Sequence, residues 1–310
     1  AMSHHVIVGA GPVGRATAAE LVRRGHEVVL ASRSGTGPQI AGVRREAVDA
    51  ADADLLTKLA DGAVAVYNCV NPPSYSIWPT YWPPIAEALA TAAERTGAVL
   101  AVTGNLYAYG PVEGPMTEDL PDVATGVKGA LRARMWADLE RRHREGLLRA
   151  VEVRGSDYMG PGVSGAHIPV AAKRAVRGKT TRVFGDPDAP HSMTDVRDMA
   201  HALVTVASEP SAWGRVWHAA TNPARSQAET LADVCRAIGR PPVKVRAWPG
   251  LLLGVGGTVV PFLREMRETA CQFQRPYVLD SSAIAEAYGL TATPWEEVCR
   301  ATGETALSLP

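Results

Sequence analysis

The stretch that most constrains this chain is Gly9-Ala10-Gly11-Pro12-Val13-Gly14. The run before it, His5-Val6-Ile7-Val8, is short, apolar and β-branched, and reads as a buried strand. Residues 13–24 read as a helix that Gly25 stops, and Glu27-Val28-Val29-Leu30-Ala31 reads as a second strand. Strand, glycine turn, helix, strand is the setting in which G-x-G-x-x-G carries meaning. Gly9 permits the tight turn, Gly11 lets a pyrophosphate approach the backbone, and Gly14 lets helix and strand pack closely. Pro12 and Val13 open the helix, whose free N–H groups and dipole favour an anion. The end of the second strand selects the dinucleotide. An NAD-binding fold places Asp or Glu there to accept from the ribose 2′-hydroxyl. Here the strand ends Ala31-Ser32-Arg33-Ser34. Arg33 offers a planar cationic fork for a phosphate, and Ser32 and Ser34 add short donors. The expectation is NADP(H) over NAD.

Composition bounds the remainder. The 310 residues, 46% hydrophobic, suffice for one large or two smaller domains with a sizeable core. Lys+Arg and Asp+Glu are each 32, so the formal charge is zero, which argues against a nucleic-acid binder built on a basic face. No apolar run approaches the roughly 20 residues of a membrane span. The most apolar stretch, 251–260, carries glycines that suit a buried or pocket-lining segment. The first strand begins at once, so no signal peptide is expected. Cys69, Cys235, Cys271 and Cys299 are far apart. No metal site or disulfide is expected, and a reducing cytoplasm is the default.

Further strands are expected at 42–48, 63–70, 98–103 and 147–154, and helices at 52–59, 85–96 and 128–144, with Asp52 as a cap. The segment 74–84, dense in aromatics and proline, is not expected to be ordinary helix. Buried strands alternating with helices imply an α/β fold, a Rossmann-type doubly wound parallel sheet. A smaller C-terminal α/β substrate-binding cap completes it. Residues 1–162 are expected to form the dinucleotide-binding domain, with 192–222 returning to it, and 163–191 with 223–310 to form the cap. Ligands in such sheets sit at the carboxyl ends of strands near the switch point. That rule selects 9–14, Ser32-Arg33, 68–73 with Asn71, and 103–110 as one crevice, to which Asp49 after the third strand adds a carboxylate.

Several of these pieces together resemble the extended short-chain dehydrogenases/reductases, the group that includes NAD-dependent epimerases and dehydratases. They are the glycine turn, Asp49, Tyr109-Gly110-Pro111 after the fifth strand, Lys128 in the following helix, Tyr158-Met159-Gly160-Pro161-Gly162 after the sixth, Thr194-Asp195-Val196-Arg197-Asp198, and 280–289. The resemblance covers essentially the full length. It implies a Ser or Thr that polarises the substrate oxygen, a Tyr that transfers the proton, and a Lys four residues later that lowers the Tyr pKa and holds the nicotinamide ribose. Hydride transfer at a carbon creates or removes charge on its oxygen, so a proton donor must lie within hydrogen-bond reach.

This chain departs from that pattern. Four residues before Lys128 stands Ala124, and four before Tyr109 stands Asn105. Asn can orient or polarise but carries no transferable proton at neutral pH. The donor must come from elsewhere: Tyr107 is favoured, with Tyr75 and Tyr81 as alternatives. Side chains alternate along an extended segment, so Asn105, Tyr107 and Tyr109 are expected to share a face. Trp78, Tyr81, Trp82, Trp248 and Phe262 suggest an apolar pocket. Asp157 and Tyr158 join the substrate-binding set, with His191 as a further acid. These residues point first to an NADP(H)-dependent oxidoreductase acting on a carbonyl or alcohol of a small, fairly apolar molecule. The alternatives are an epimerase or dehydratase with a retained nucleotide, and a catalytically silent NADP(H)-binding regulator. The resemblance also admits a homodimer built on the helices at 85–96 and 128–144.

Overall fold

A computed structural model describes residues 3–250 and 272–310, with Tyr75 described by its backbone alone. Phe262, Cys271 and the stretch 251–260 lie outside the described residues. In the first half strands and helices alternate, except that β3 follows β2 directly: β1 (His4–Val8), α1 (Pro12–Arg23), β2 (Glu27–Ser32), β3 (Val43–Ala47), α2 (Ala53–Ala60), β4 (Ala65–Asn68), α3 (Trp78–Thr96), β5 (Val99–Asn105), α4 (Val127–Arg144) and β6 (Ala150–Gly155). Shorter elements follow: β7 (Asp157–Met159), α5 (His167–Ala175), β8 (Thr181–Val183), β9 (Pro190–His191), β10 (Met193–Asp195), α6 (Val196–Ser208), β11 (Val216–His218), β12 (Arg225–Ser226), α7 (Gln227–Ala237) and β13 (Val245–Ala247). The chain closes with α8 (Ser282–Tyr288) and α9 (Trp295–Ser308).

Seven strands form one sheet in the order β11-β6-β5-β4-β1-β2-β3, every pair parallel. The order reverses between β1 and β4, so the carboxyl ends of β2, β1, β4 and β5 open on one crevice. The strands are buried on both faces, as parallel strands must be. One face packs on α2, α3 and α4 through Leu56, Leu89, Leu131 and Trp136. The other packs on α1 and α6 through Leu21 and Leu203. A separate core of Ile168, Val183, Leu231 and Val298 holds the cap. Ile284 of α8 and Leu290 pack in the core on the α1–α6 face of the sheet.

Capping is legible where expected: Asp52 Oδ1 accepts from the Leu55 N–H at 2.9 Å. The segment 74–84 differs from expectation, since α3 begins at Trp78 and contains Pro83 and Pro84. Pro79 sits in the first turn, where an N–H has no intrahelical partner to lose. The two interior prolines cost about 3 kcal/mol each. Trp78 and Trp82, one turn apart, are 3% and 0% exposed. At 150–250 Å² per ring, their burial contributes roughly 4–6 kcal/mol each, which outweighs that cost.

Candidate active site

The glycine turn fits a dinucleotide cradle, each glycine for its own reason. Gly9 has φ +108°, and a Cβ there would lie 2.3 Å from Cys69 O at the end of β4. A Cβ on Gly14 would lie 1.8 Å from Gly9 O. Gly11 is the reverse case: nothing stands within 4 Å of its absent side chain. The space beside Gly11 is open, at the N-terminus of a helix with no side-chain cap and no acid in its first turn. Such an end attracts an anion. Arg15, one residue past the fingerprint, lies against Gly162 on the loop after β6, which places a cation between the two sides of the crevice.

At the end of β2, Arg33 is exposed. Ser32 Oγ accepts from the Gly35 N–H at 3.0 Å, leaving its own proton to donate. Arg45 holds the following loop through Thr36 O at 3.1 Å and through Pro38 O. Asp49 and Asn71 are exposed on the same edge, and Asp49 Oδ1 accepts from the Ala51 N–H at 2.9 Å.

The end of β5 departs from the expected alternation. Tyr107–Tyr109 is a single 3-10 turn, so Asn105, Tyr107 and Tyr109 do not share a face. Asn105 Oδ1 accepts from the Tyr107 N–H at 3.0 Å, which fixes the amide with its NH2 as the remaining donor. The Tyr107 ring stacks on Trp78 at 6.2 Å. Tyr109 is turned into a different cluster, with Leu106, Met116 and Leu279. Its hydroxyl lies 2.7 Å from His218 Nε2, and burial pushes it up to about 12. The Arg154 guanidinium covers its ring at 4.7 Å and pairs with Glu152 at 2.7 Å and Asp122 at 2.7 Å. Tyr109 is therefore part of a buried structural network.

Lys128 is buried in the first turn of α4. Next to it, a Cβ on Gly129 would lie 2.5 Å from Tyr107 O and 2.5 Å from Ala124 Cβ, so α4 and the Tyr107 turn meet backbone to backbone. Arg132, one turn after Lys128, lies 4.9 Å from the Trp78 ring and 4.7 Å from the Trp82 ring. The two indoles meet edge to face at 6.4 Å. Both are buried in the core, not on the surface of the apolar pocket that the sequence suggests; Tyr81 is partly buried against the same core. Trp248 is 42% exposed on the cap and stacks on Phe184 at 6.4 Å. Cys69 is closed in at the β4 end, and burial pushes its thiol up to about 11, so it is no thiolate.

Past β6, Asp157 Oδ2 lies 2.5 Å from His191 Nε2. The His191 ring stacks on Phe273 at 4.4 Å and Tyr277 at 4.9 Å. Phe273 also lies 4.4 Å from His167. His167 Nε2 donates to Gln227 Oε1 at 2.6 Å, because the Gln227 amide N–H is spent on Phe184 O at 2.8 Å; burial lowers the His167 pKa. Asp157 and His191 thus tie the cap to the sheet. Tyr158 packs against the sheet core that Ala10 and Val13 also pack against, and it lies near enough to Cys69 at the β4 end to interact with it electrostatically.

A sequence model of the NAD dependent epimerase/dehydratase family matches residues 5–219. The chain belongs to this family. A comparison with curated proteins gives no match. Among solved structures, UDP-glucose 4-epimerase of Thermotoga maritima with UDP-glucose is similar, with TM-score 0.78 and 17% identity over 98% of this chain and 99% of that one. The dTDP-glucose 4,6-dehydratase of Bacillus anthracis in complex with NAD has TM-score 0.79 and 13% identity, covering 99% and 97%. UDP-glucose 4-epimerase of Thermus thermophilus in complex with NAD has TM-score 0.76 and 18% identity, covering 99% and 100%. At these identities the likeness is one of fold.

Within this family the departures gain meaning. Ala124 stands where the proton-transferring Tyr is expected, packed against Gly110 and Gly129. Two cations of the crevice escape sequence reading. Arg15 directly follows the last fingerprint glycine, and Arg132 repeats the Lys128 position one turn on; their spacing was the available signal. Among the described residues no group of three His, Cys, Asp or Glu could hold a metal, and no helix is long and apolar enough to cross a membrane.

Proposed function

We propose that the chain binds NADP(H) across the carboxyl-end crevice. There it exchanges hydride with an alcohol or carbonyl carbon of a small molecule and restores the nucleotide within each turnover, as an epimerase or dehydratase does. The observation that carries this reading is the open Gly11 position at an uncapped helix end in a chain of the epimerase/dehydratase family. Gly9, Gly11, Pro12, Val13 and Gly14 receive the pyrophosphate, with Arg15 beside them. Ser32 and Arg33 take the ribose 2′-phosphate, and Asp49 and Asn71 border the nucleotide. When bound, the nicotinamide supplies and accepts hydride. Lys128 holds its ribose, and the Asn105 amide donates to the substrate oxygen. A phenol of the crevice carries the substrate proton, and Tyr81 and Asp157 line the substrate side.

A second reading, net NADPH-dependent reduction or oxidation, is favoured by Arg33, because a phosphate-reading cation suits the cofactor of reductive chemistry. One experiment separates them. The nucleotide released on denaturing the purified protein is identified, and NADPH absorbance is followed with nucleotide sugars and with simple carbonyl compounds. Conversion without net NADPH change supports the first reading, and stoichiometric consumption supports the second. No retained or titratable nucleotide overturns both.

A further inference from the structure

The crevice holds a buried polar atom that the protein does not complete. The Tyr158 residue is partly exposed, but its hydroxyl oxygen is enclosed and has no hydrogen-bond partner among the described residues. Its ring packs against the same sheet core as Ala10 and Val13 of the glycine turn, and Cys69 at the β4 end lies near enough to act on it electrostatically. Arg132 and Asp157 lie near enough to act on it electrostatically. Two residues earlier, Ser156 Oγ is likewise enclosed without a partner. Buried hydroxyls are nearly always paired, and one that is not forfeits its hydration for nothing within the fold. A ligand oxygen completes such a group. Meanwhile the position expected to supply the proton holds Ala124, and Tyr107 has its ring against Trp78.

Resting on the functional reading above, we infer that Tyr158 is the catalytic residue that carries the substrate proton in place of the Tyr absent at 124, with Arg132 as the cation facing its phenolate. In the reductive direction the carbonyl carbon receives the hydride with its electron pair, and the carbonyl oxygen takes the Tyr158 proton. A carbinol and a phenolate result. In the oxidative direction the phenolate takes the carbinol proton as hydride leaves the carbon. Burial holds the ligand-free phenol above its ordinary range, so it rests as a donor. Arg132 and the positive charge of an oxidised nicotinamide both favour the phenolate. This placement moves the donor from the segment before α4 to β7.

The test needs no identified substrate. Tyrosinate absorbance is titrated against pH in wild type, Tyr158→Phe and Tyr107→Phe, each ligand-free and each saturated with whichever of NADP+ and NAD+ calorimetry shows to bind. In wild type one tyrosine should titrate about 1–3 pH units lower in the complex than in the ligand-free protein. That change should vanish in Tyr158→Phe and persist in Tyr107→Phe. Removing an unpartnered hydroxyl should leave the ligand-free melting temperature of Tyr158→Phe at or above that of wild type, so the lost signal is not lost folding. A signal that survives in Tyr158→Phe, disappears in Tyr107→Phe, or is absent from wild type with nucleotide bound overturns the assignment. Failure of both nucleotides to bind overturns the functional reading itself.

Discussion

At the residue scale, the proposed preference for NADP(H) turns on Arg33. It is exposed at the carboxyl end of β2, with no acid beside it to repel a phosphate. Arg33→Ala should weaken NADPH binding by about 1.5–3 kcal/mol, the range of a hydrogen bond to a charged group, and leave NADH binding little changed. Titration calorimetry checks this, and equal losses for the two nucleotides would contradict it. The placement of Arg33 past the end of β2 was legible from the strand pattern. Arg132 was not: it begins a run of arginines that reads as a solvated helix face, and only the packed structure shows its guanidinium against two indoles. The Asp157–His191 pair was equally hidden, since 34 residues separate its members.

At the element scale, periodicity and caps locate the strands and helices of the sheet, and they fail where local chemistry and tertiary burial disagree. The N-terminal turns of α3 are such a place. Proline argues against helix there, but the burial of Trp78 and Trp82 carries the opposite sign and a larger magnitude. Trp82→Ala should therefore cost about 3–5 kcal/mol of stability in chemical denaturation, and a loss under about 1 kcal/mol would show that the prolines set the local structure. The Tyr107–Tyr109 turn failed for a related reason. A period of two was expected beyond β5, whereas the chain changes to a 3-10 turn there, which sends Tyr107 and Tyr109 to different clusters. The geometry of the glycine turn was legible because a Cβ at Gly9 or Gly14 would collide with backbone, while Gly11 borders open space.

At the scale of the whole molecule, groups distant in sequence share buried charge. Burial raises Glu118 to about 7 and lowers His218 to about 4. The two meet at 3.1 Å, beside Tyr109 and the Asp280 backbone carbonyl. Their contributions to stability run in opposite directions. Between about pH 4.5 and 7 the folded chain holds the Glu118 proton that the unfolded chain releases, so this group's contribution falls as pH rises. Between about 4 and 6.5 the unfolded chain binds a proton that folded His218 does not, so that contribution rises with pH. Glu118→Gln removes the falling term. The stability of the variant relative to wild type should increase as pH is raised from about 4.5 to 7, measured by denaturant titration across that range. A relative stability that stays level would show that Glu118 ionises normally in the folded chain. Such long-range pairing, like the return of α8 to the sheet, depends on closure of the fold and leaves no periodic trace in the sequence.

The central claim is that the glycine turn holds a nicotinamide dinucleotide. Calorimetric titration of wild type and Gly11→Val with NADPH tests it most directly. A Cβ at 11 would meet no atom beyond its chain neighbours within 4 Å, so Gly11→Val should leave the circular dichroism and melting temperature of the chain unchanged while filling the place of the pyrophosphate. The account predicts measurable NADPH binding by wild type and none by a folded Gly11→Val. Normal binding by the folded variant would contradict it.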